Sequence, residues 1–320
     1  MAHAHLGHDS GAGHGHDHGG HAHGPGHSHA PADFGRAFLI GTALNVTFVL
    51  VEAGFGLAVN SMALLADAGH NLSDVFGLLL AWGAATLGKR IPTAHYTYGF
   101  RRSTILAALF NALFLLVAIG GIAVEAVRRF WEPQPVSGGT VMVVAGVGIV
   151  INAATALLFA RGRKGDINIR GAYLHMAADA AVSAGVVFAG LIITLTGASW
   201  IDPVTSLLIV LVVFIGTWGL LRDSVAMSLD RVPAHITPSE VESFLEGLDG
   251  VERVHDLHIW SMSTTEVALT AHLIMPGGAD GDRFLHDTAE LLKQRFNIGH
   301  ATLQIERDQA ACALEPDEVV

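Results

Sequence analysis

The chain has 320 residues, of which 51% are hydrophobic and 15% charged, and its mean hydropathy is +0.46. Soluble domains carry about 25% charged residues, so the composition argues against a cytosolic enzyme. The formal charge of −11 is not spread evenly: residues 1–231 balance 13 basic against 13 acidic residues, and residues 232–320 set 5 against 16. A nucleic-acid-binding chain shows the opposite bias. Cys312 is the only cysteine, which rules out an intramolecular disulfide framework and a multi-cysteine zinc ribbon. Any bound metal must therefore be held mainly by histidine and carboxylate.

Residues 1–33 are dominated by Gly, Ala and His and hold 10 of the 19 histidines, among them His14, His16, His18, His21, His23, His27 and His29. The segment has no apolar core of signal-peptide length and reads by composition as a disordered tail. Its interspersed imidazoles offer many two- or three-nitrogen chelates and no single fixed site, which suits a metal buffer or delivery arm.

Residues 34–231 read as a membrane domain. Six apolar stretches, each near the ~20 residues that cross the hydrocarbon as a helix, are predicted at about Ala37–Val59, Met62–Leu87, Thr104–Val127, Thr140–Ala160, Ala172–Thr196 and Pro203–Leu221. With the N-terminus inside, eleven basic residues flank the inner side, and only Arg128 and Arg129 the outer. That asymmetry places both termini in the cytoplasm of a multi-pass inner-membrane protein.

Residues 232–310 change to a soluble pattern. Thr237-Pro-Ser-Glu240 reads as a capping box with proline at the first helical position, opening a helix to about Leu248. Two β-rich runs, Val251–Met262 and Glu266–Met275, are followed by a helix at about Asp282–Phe296 and a strand at Ala301–Glu306. This αββαβ order predicts a small α+β sandwich. Residues 311–320 form a C-terminal tail that carries Cys312.

Ionisable residues within spanning helices carry the chemistry. Each costs roughly 2.5–3.5 kcal/mol at mid-bilayer on insertion scales, and such residues mark pathways. The second stretch holds Asp67, His70 and Asp74 in ADAGHNLSD, and the fifth holds His175 and Asp179 in LHMAAD. Both contain His-x-x-x-Asp, which sets imidazole and carboxylate on one helix face. Two such faces turned together would offer two nitrogens and two oxygens, a tetrahedral set for Zn²⁺. Zinc and protons compete for those atoms, so a metal/proton antiporter is the reading the residues support. Glu52, Asn45, Asn111 and Asn152 are read as interhelical hydrogen bonders, and Asp67 as either a pathway or a packing residue. The run from Gly83 to Lys89 lacks the Ser or Thr of a phosphate-binding loop, because Arg90 stands there, so nucleotide binding is excluded. No His-Glu-x-x-His occurs, which argues against a metalloprotease. A membrane-bound zinc sensor that binds without transporting is the alternative to a transporter.

The segments LLADAGHNLSD, HYTYGFRR from His95, NIRGAYLHMAADA and VHDLHIW, in register from Phe34 to Glu306, closely resemble the cation diffusion facilitators, in particular their zinc-type branch. The resemblance implies six transmembrane helices and a ferredoxin-like cytosolic domain in a homodimer. It also implies a transport site of His70, Asp74, His175 and Asp179, and a preference for Zn²⁺, with Co²⁺ and Cd²⁺ also carried. His255, His272, His286 and Glu306 match regulatory metal ligands of the soluble domain, whereas Gln304 stands where some relatives have a histidine. His95 matches a loop position where some relatives bind an extra zinc. His258, three residues from His255, is expected on the opposite side of its strand.

Overall fold

A computed structural model describes residues 36–160, 167–278 and 281–307. Among the described residues six long helices come first: α1 (Arg36–Ala58), α2 (Met62–Gly88), α3 (Ser103–Arg128), α4 (Gly138–Ala160), α5 (Ile167–Thr196) and α6 (Ile201–Ser228). Four helical stretches, Ser103–Arg128, Gly138–Leu157, Tyr173–Thr196 and Ile201–Ser228, are long and apolar enough to cross a membrane. In α2 the apolar run is interrupted by Asp67, His70, Asn71, Ser73 and Asp74. Helix is the form these sequences must take in hydrocarbon, where each backbone N–H and C=O has to be satisfied within its own segment. α6 runs two turns past the predicted end at Leu221, because apolar content marks the lipid-immersed part of a helix and not the end of its hydrogen bonding.

Small residues and buried polar pairs hold the bundle together, as expected where lipid removes the hydrophobic drive between helices. A Cβ on Gly138 of α4 would stand 2.5 Å from the Gly190 carbonyl of α5, so these two helices meet backbone to backbone. A Cβ on Gly77 of α2 would stand 2.7 Å from Asn111 Nδ2, which seats the α3 asparagine in the groove that glycine leaves. Leu64, Val141, Ala145, Val186 and Ile209 fill the interior between them, whereas Val117, Leu157, Phe188 and Ile215 stay exposed, as lipid-facing residues do.

The N-terminus of α2 is fixed by a residue far away in sequence. Asp202 of α6, fully buried, accepts from Ser61 Oγ at 2.5 Å, Met62 N at 2.6 Å and Ala63 N at 3.3 Å. Ser61 Oγ in turn accepts from Leu64 N at 3.2 Å. A carboxylate on these otherwise orphaned N–H groups offsets the helix dipole and sets the position of α2 against α6.

The C-terminal part comprises α7 (Pro238–Glu246), β1 (Arg253–Ser261), β2 (Val267–Ile274), α8 (Gly281–Phe296) and β3 (Ile298–Glu306). The sheet order is β1-β2-β3, with β1 antiparallel and β3 parallel to β2. Val241, Leu245, Leu269, Leu273, Leu292 and Ile298 form its core. The expected capping box does not close: Thr237 makes no side-chain cap bond, and its carbonyl accepts from Glu240 N at 3.0 Å instead. Proline at the first position already fixes the local φ and removes one donor, so the helix starts without the side chain. β3 begins at Ile298, earlier than predicted, because buried Ile298 pairs with Val267 across a register shift.

One further departure concerns β1. The β1–β2 register shifts between His255 and His258, and Asp256 there takes a φ of 50°. His255 pairs with His272 and His258 with Thr270, two positions that share a face of β2. The bulge thus turns His258 to the same side as His255, against the simple alternation expected from sequence.

Polar contacts join the two parts of the chain: Arg101 pairs with Glu266, and Thr264 N donates to Thr104 Oγ1 at 3.1 Å. Beside them, Arg102 Nη2 donates to Asp230 Oδ1, just past the end of α6, at 2.6 Å.

Asp202→Ala leaves buried N–H donors unsatisfied at the start of α2, so it is expected to destabilise the detergent-solubilised protein by about 1–3 kcal/mol. A denaturant midpoint equal to that of the parent would contradict the capping role.

Candidate metal centres

α2 and α5 bring His70, Asp74, His175 and Asp179 together deep in the bundle. His70 Nε2 lies 3.2 Å from Asp179 Oδ1 and 3.8 Å from Asp74 Oδ2. His175 Nε2 lies 3.2 Å from Asp74 Oδ2 and 3.7 Å from Asp179 Oδ2. Nitrogen and oxygen thus alternate around a four-membered circuit, each imidazole between two carboxylates. For metal–ligand bonds of about 2.0–2.1 Å, a tetrahedron has edges of about 3.3 Å. The four nitrogen–oxygen separations bracket that length, and His70, Asp74 and Asp179 offer ligand atoms all within 4.8 Å of one another; His175 stands outside that tighter group, so a four-ligand tetrahedron closes only when the His175 ring moves inward.

The one-turn spacing within each helix accounts for two of the contacts, and the crossing of α2 with α5 for the other two. Ser183 Oγ of α5 donates to Asp67 Oδ2 of α2 at 3.0 Å, one turn away along each helix from the four residues. Asp67 thereby links α2 to α5 beside the four residues. Glu52 of α1 accepts from Asn71 Nδ2 at 3.4 Å, which ties α1 to the same face of α2. The side chains are 18% exposed for His70, 28% for Asp74, 32% for His175 and 3% for Asp179, so access comes from the Asp74 and His175 side. A cavity of about 50 Å³ opens there, lined by Asn45, Asn71 and Val75 beside the ligand atoms. The sequence predicts a helix–helix hydrogen bonder at Asn45; its place in the cavity wall depends on the α1–α2 crossing, which no local pattern encodes.

A second group gathers on the sheet. His255, His272 and Glu306 each offer a ligand atom within 4.8 Å of the others. His272 Nδ1 is 3.1 Å from Glu306 Oε1, and His255 Nε2 is 3.4 Å from Glu306 Oε2. His255 is 3% exposed, and its two ring nitrogens, like Glu306 Oε2, have no hydrogen-bond partner among the described residues. Buried polar atoms of this kind are costly unless something binds them, and a cation held by two imidazoles and a carboxylate would satisfy Glu306 Oε2 and one of the two His255 nitrogens. Gln304 points at Glu306, its Nε2 donating to Oε1 at 2.8 Å.

The remaining expectations separate. His286 is exposed on α8 and stands outside this group within the protomer. His95 is exposed in the loop between α2 and α3, held by Thr93–Tyr96 hydrogen bonds, and belongs to no metal-ligating group among the described residues. The histidine-rich tail and Cys312 lie outside the described residues.

The sequence matches the profile of a cation efflux transmembrane domain over residues 38–227 and that of a cation efflux protein cytoplasmic domain over residues 233–308. It is 36% identical over 273 residues to the zinc transporter ZitB of Escherichia coli, covering 85% of this chain and 87% of that one. It is 35% identical over 277 residues to the metal cation efflux system protein CzcD of Cupriavidus metallidurans, covering 86% and 88%. A cadmium, cobalt and zinc/H(+)-K(+) antiporter of Bacillus subtilis is 32% identical over 278 residues, covering 85% and 89%.

Asp179→Asn keeps the volume but removes one charge and one anionic ligand. It is expected to weaken zinc binding at the α2–α5 group by at least about 100-fold, or about 2.8 kcal/mol, read as the loss of one tightly bound zinc in chelator competition. Retention of every tight zinc would contradict the assignment.

Proposed function

Because the chain belongs to the cation diffusion facilitator family, we propose that it is a zinc-type secondary transporter exporting Zn²⁺ from the cytoplasm in exchange for protons. The observation that carries this reading is the alternating circuit of His70, Asp74, His175 and Asp179. Two carboxylates and one Zn²⁺ sum to no net charge, so the loaded site is tolerable at membrane depth. Emptied, the site would leave two negative charges there, and burial of uncompensated charge is strongly unfavourable. Protons on the imidazoles or carboxylates relieve that charge. Zinc requires neutral His and ionised Asp, so the two cargoes bind in turn to the same atoms.

In this reading all six long helices span the membrane, both termini are cytoplasmic, and α2 and α5 rock to expose the site alternately to each side. No residue acts as a chemical catalyst. The relatives named for zinc, and for cadmium and cobalt with it, support zinc as the main cargo and Co²⁺ and Cd²⁺ as further ones. The chain acts as a homodimer, in keeping with its match to the cytoplasmic domain profile. Metal at His255, His272 and Glu306 neutralises part of the acidic surface of residues 232–320 and draws the two soluble domains together, biasing the transport equilibrium. An unchanged distance between spin labels on the two soluble domains with and without zinc would contradict that step.

Zinc flux into proteoliposomes that carry a pH-sensitive dye in their lumen tests the transport claim. The parent is expected to couple zinc uptake to loss of lumenal protons, and His70→Ala, Asp74→Ala, His175→Ala and Asp179→Ala each to abolish both. Zinc affinity of the site is expected to fall as pH is lowered, because protons compete with zinc for the same nitrogens and oxygens. Zinc binding with no flux would instead establish a sensor.

A further inference from the structure

The bulge in β1 has a partner that neither the motif nor the ligand set accounts for. Asp256, at the bulge, places its carboxylate between two histidines: Oδ1 lies 2.7 Å from His258 Nε2, and Oδ2 lies 3.4 Å from His272 Nε2. The opposite ring nitrogen of His272, Nδ1, is the one that stands 3.1 Å from Glu306 Oε1. The five side chains thus form a line across the sheet face, His258, Asp256, His272, Glu306 and His255. Asp256 and His272 are largely enclosed, with side chains 10% and 12% exposed, while His258 at 42% stands at the open end.

We propose that Asp256 is the positioning residue of the cytosolic metal centre, its carboxylate accepting the Nε2 proton of His272 so that Nδ1 is presented to the cation. An imidazole that ligates through one nitrogen carries its proton on the other, and a carboxylate there fixes both tautomer and ring plane and raises ligand basicity. His258 completes the arrangement by donating to the free oxygen of Asp256, which holds the carboxylate in place from the solvent side. The bulge is what makes this geometry available. In unbroken alternation residue 256 would point away from His255 and His272, toward the other face of the sheet. A φ of 50° is a left-handed conformation that Asp, Asn and Gly tolerate better than other residues. Asp therefore meets two demands at this position, one of backbone and one of charge.

The inference rests on the reading of His255, His272 and Glu306 as a metal centre, and the experiment separates the two. Zinc affinity is measured by chelator competition on the full chain carrying Asp179→Ala, which silences the membrane site; the tail is the same in every sample. Asp256→Gly keeps the backbone conformation and deletes the acceptor, so it is expected to lower affinity about 10–100-fold with the melting profile unchanged. Asp256→Asn keeps an acceptor oxygen without the charge and is expected to restore part of the loss, which a merely structural role would not produce. The visible absorption of Co²⁺ bound in place of zinc is expected to shift in Asp256→Gly and return toward the parent in Asp256→Asn. Affinity and spectrum of Asp256→Gly equal to the parent's, with His255→Ala abolishing the tight site, would overturn the positioning role alone. An affinity unaffected by His255→Ala would overturn the metal centre and the positioning role together.

Discussion

Two carboxylates from different helices, Asp74 and Asp179, stand close together within the bundle, and charge at that depth is costly unless imidazole, cation or proton offsets it. Asp74 and Asp179 each stand between both imidazoles, with nitrogen–oxygen separations from 3.2 to 3.8 Å. Because each carboxylate is shared by α2 and α5, displacing either helix breaks ligand contacts to the other. A cation or protons at this point therefore report directly on the relative position of the two helices. That is the physical requirement for converting occupancy into movement.

The scaffold around the site is polar where it must be exact in register and apolar elsewhere. Asp202 anchors the start of α2 to α6, and Ser183 ties α5 to α2 at Asp67. Gly138 and Gly190 let α4 and α5 touch closely, so α5 does not drift within its own pair. At the other end of the membrane part, Arg102 ties the α2–α3 loop region to Asp230 just past α6, and Arg101 ties it to Glu266 of the soluble domain. Both pairs are about half exposed, where ion pairs are worth about 1 kcal/mol or less. They are suited to a joint that guides a movement more than to one that prevents it.

Much of this was legible in the sequence because the signals are local. His-x-x-x-Asp places its two side chains on one helix face by helical geometry alone, and an apolar run of about twenty residues between basic flanks defines a helix of the right length. What stayed hidden depends on tertiary contact. Asp202 looks like an ordinary acidic residue at a helix start, and its role as the cap of a different helix emerges only when α2 and α6 meet. Asn45 becomes part of the cavity wall only through the α1–α2 crossing. Strand periodicity alone puts His258 on the face opposite His255, because a two-residue period cannot show the bulge between them. The one available hint was Asp at 256, a residue type that accepts positive φ. The capping-box motif at Thr237 is present in sequence and unused, since Pro238 already sets the helix start.

The claim on which the rest turns is that zinc and protons alternate on the four residues of α2 and α5, so that one gradient moves the other. The most direct test places zinc at equal concentration on both sides of reconstituted vesicles and imposes only a pH difference. Exchange drives zinc into the acidic compartment until its gradient opposes that of the protons, and collapse of the pH difference returns it. Zinc that stays level on both sides while the pH gradient persists would contradict the account.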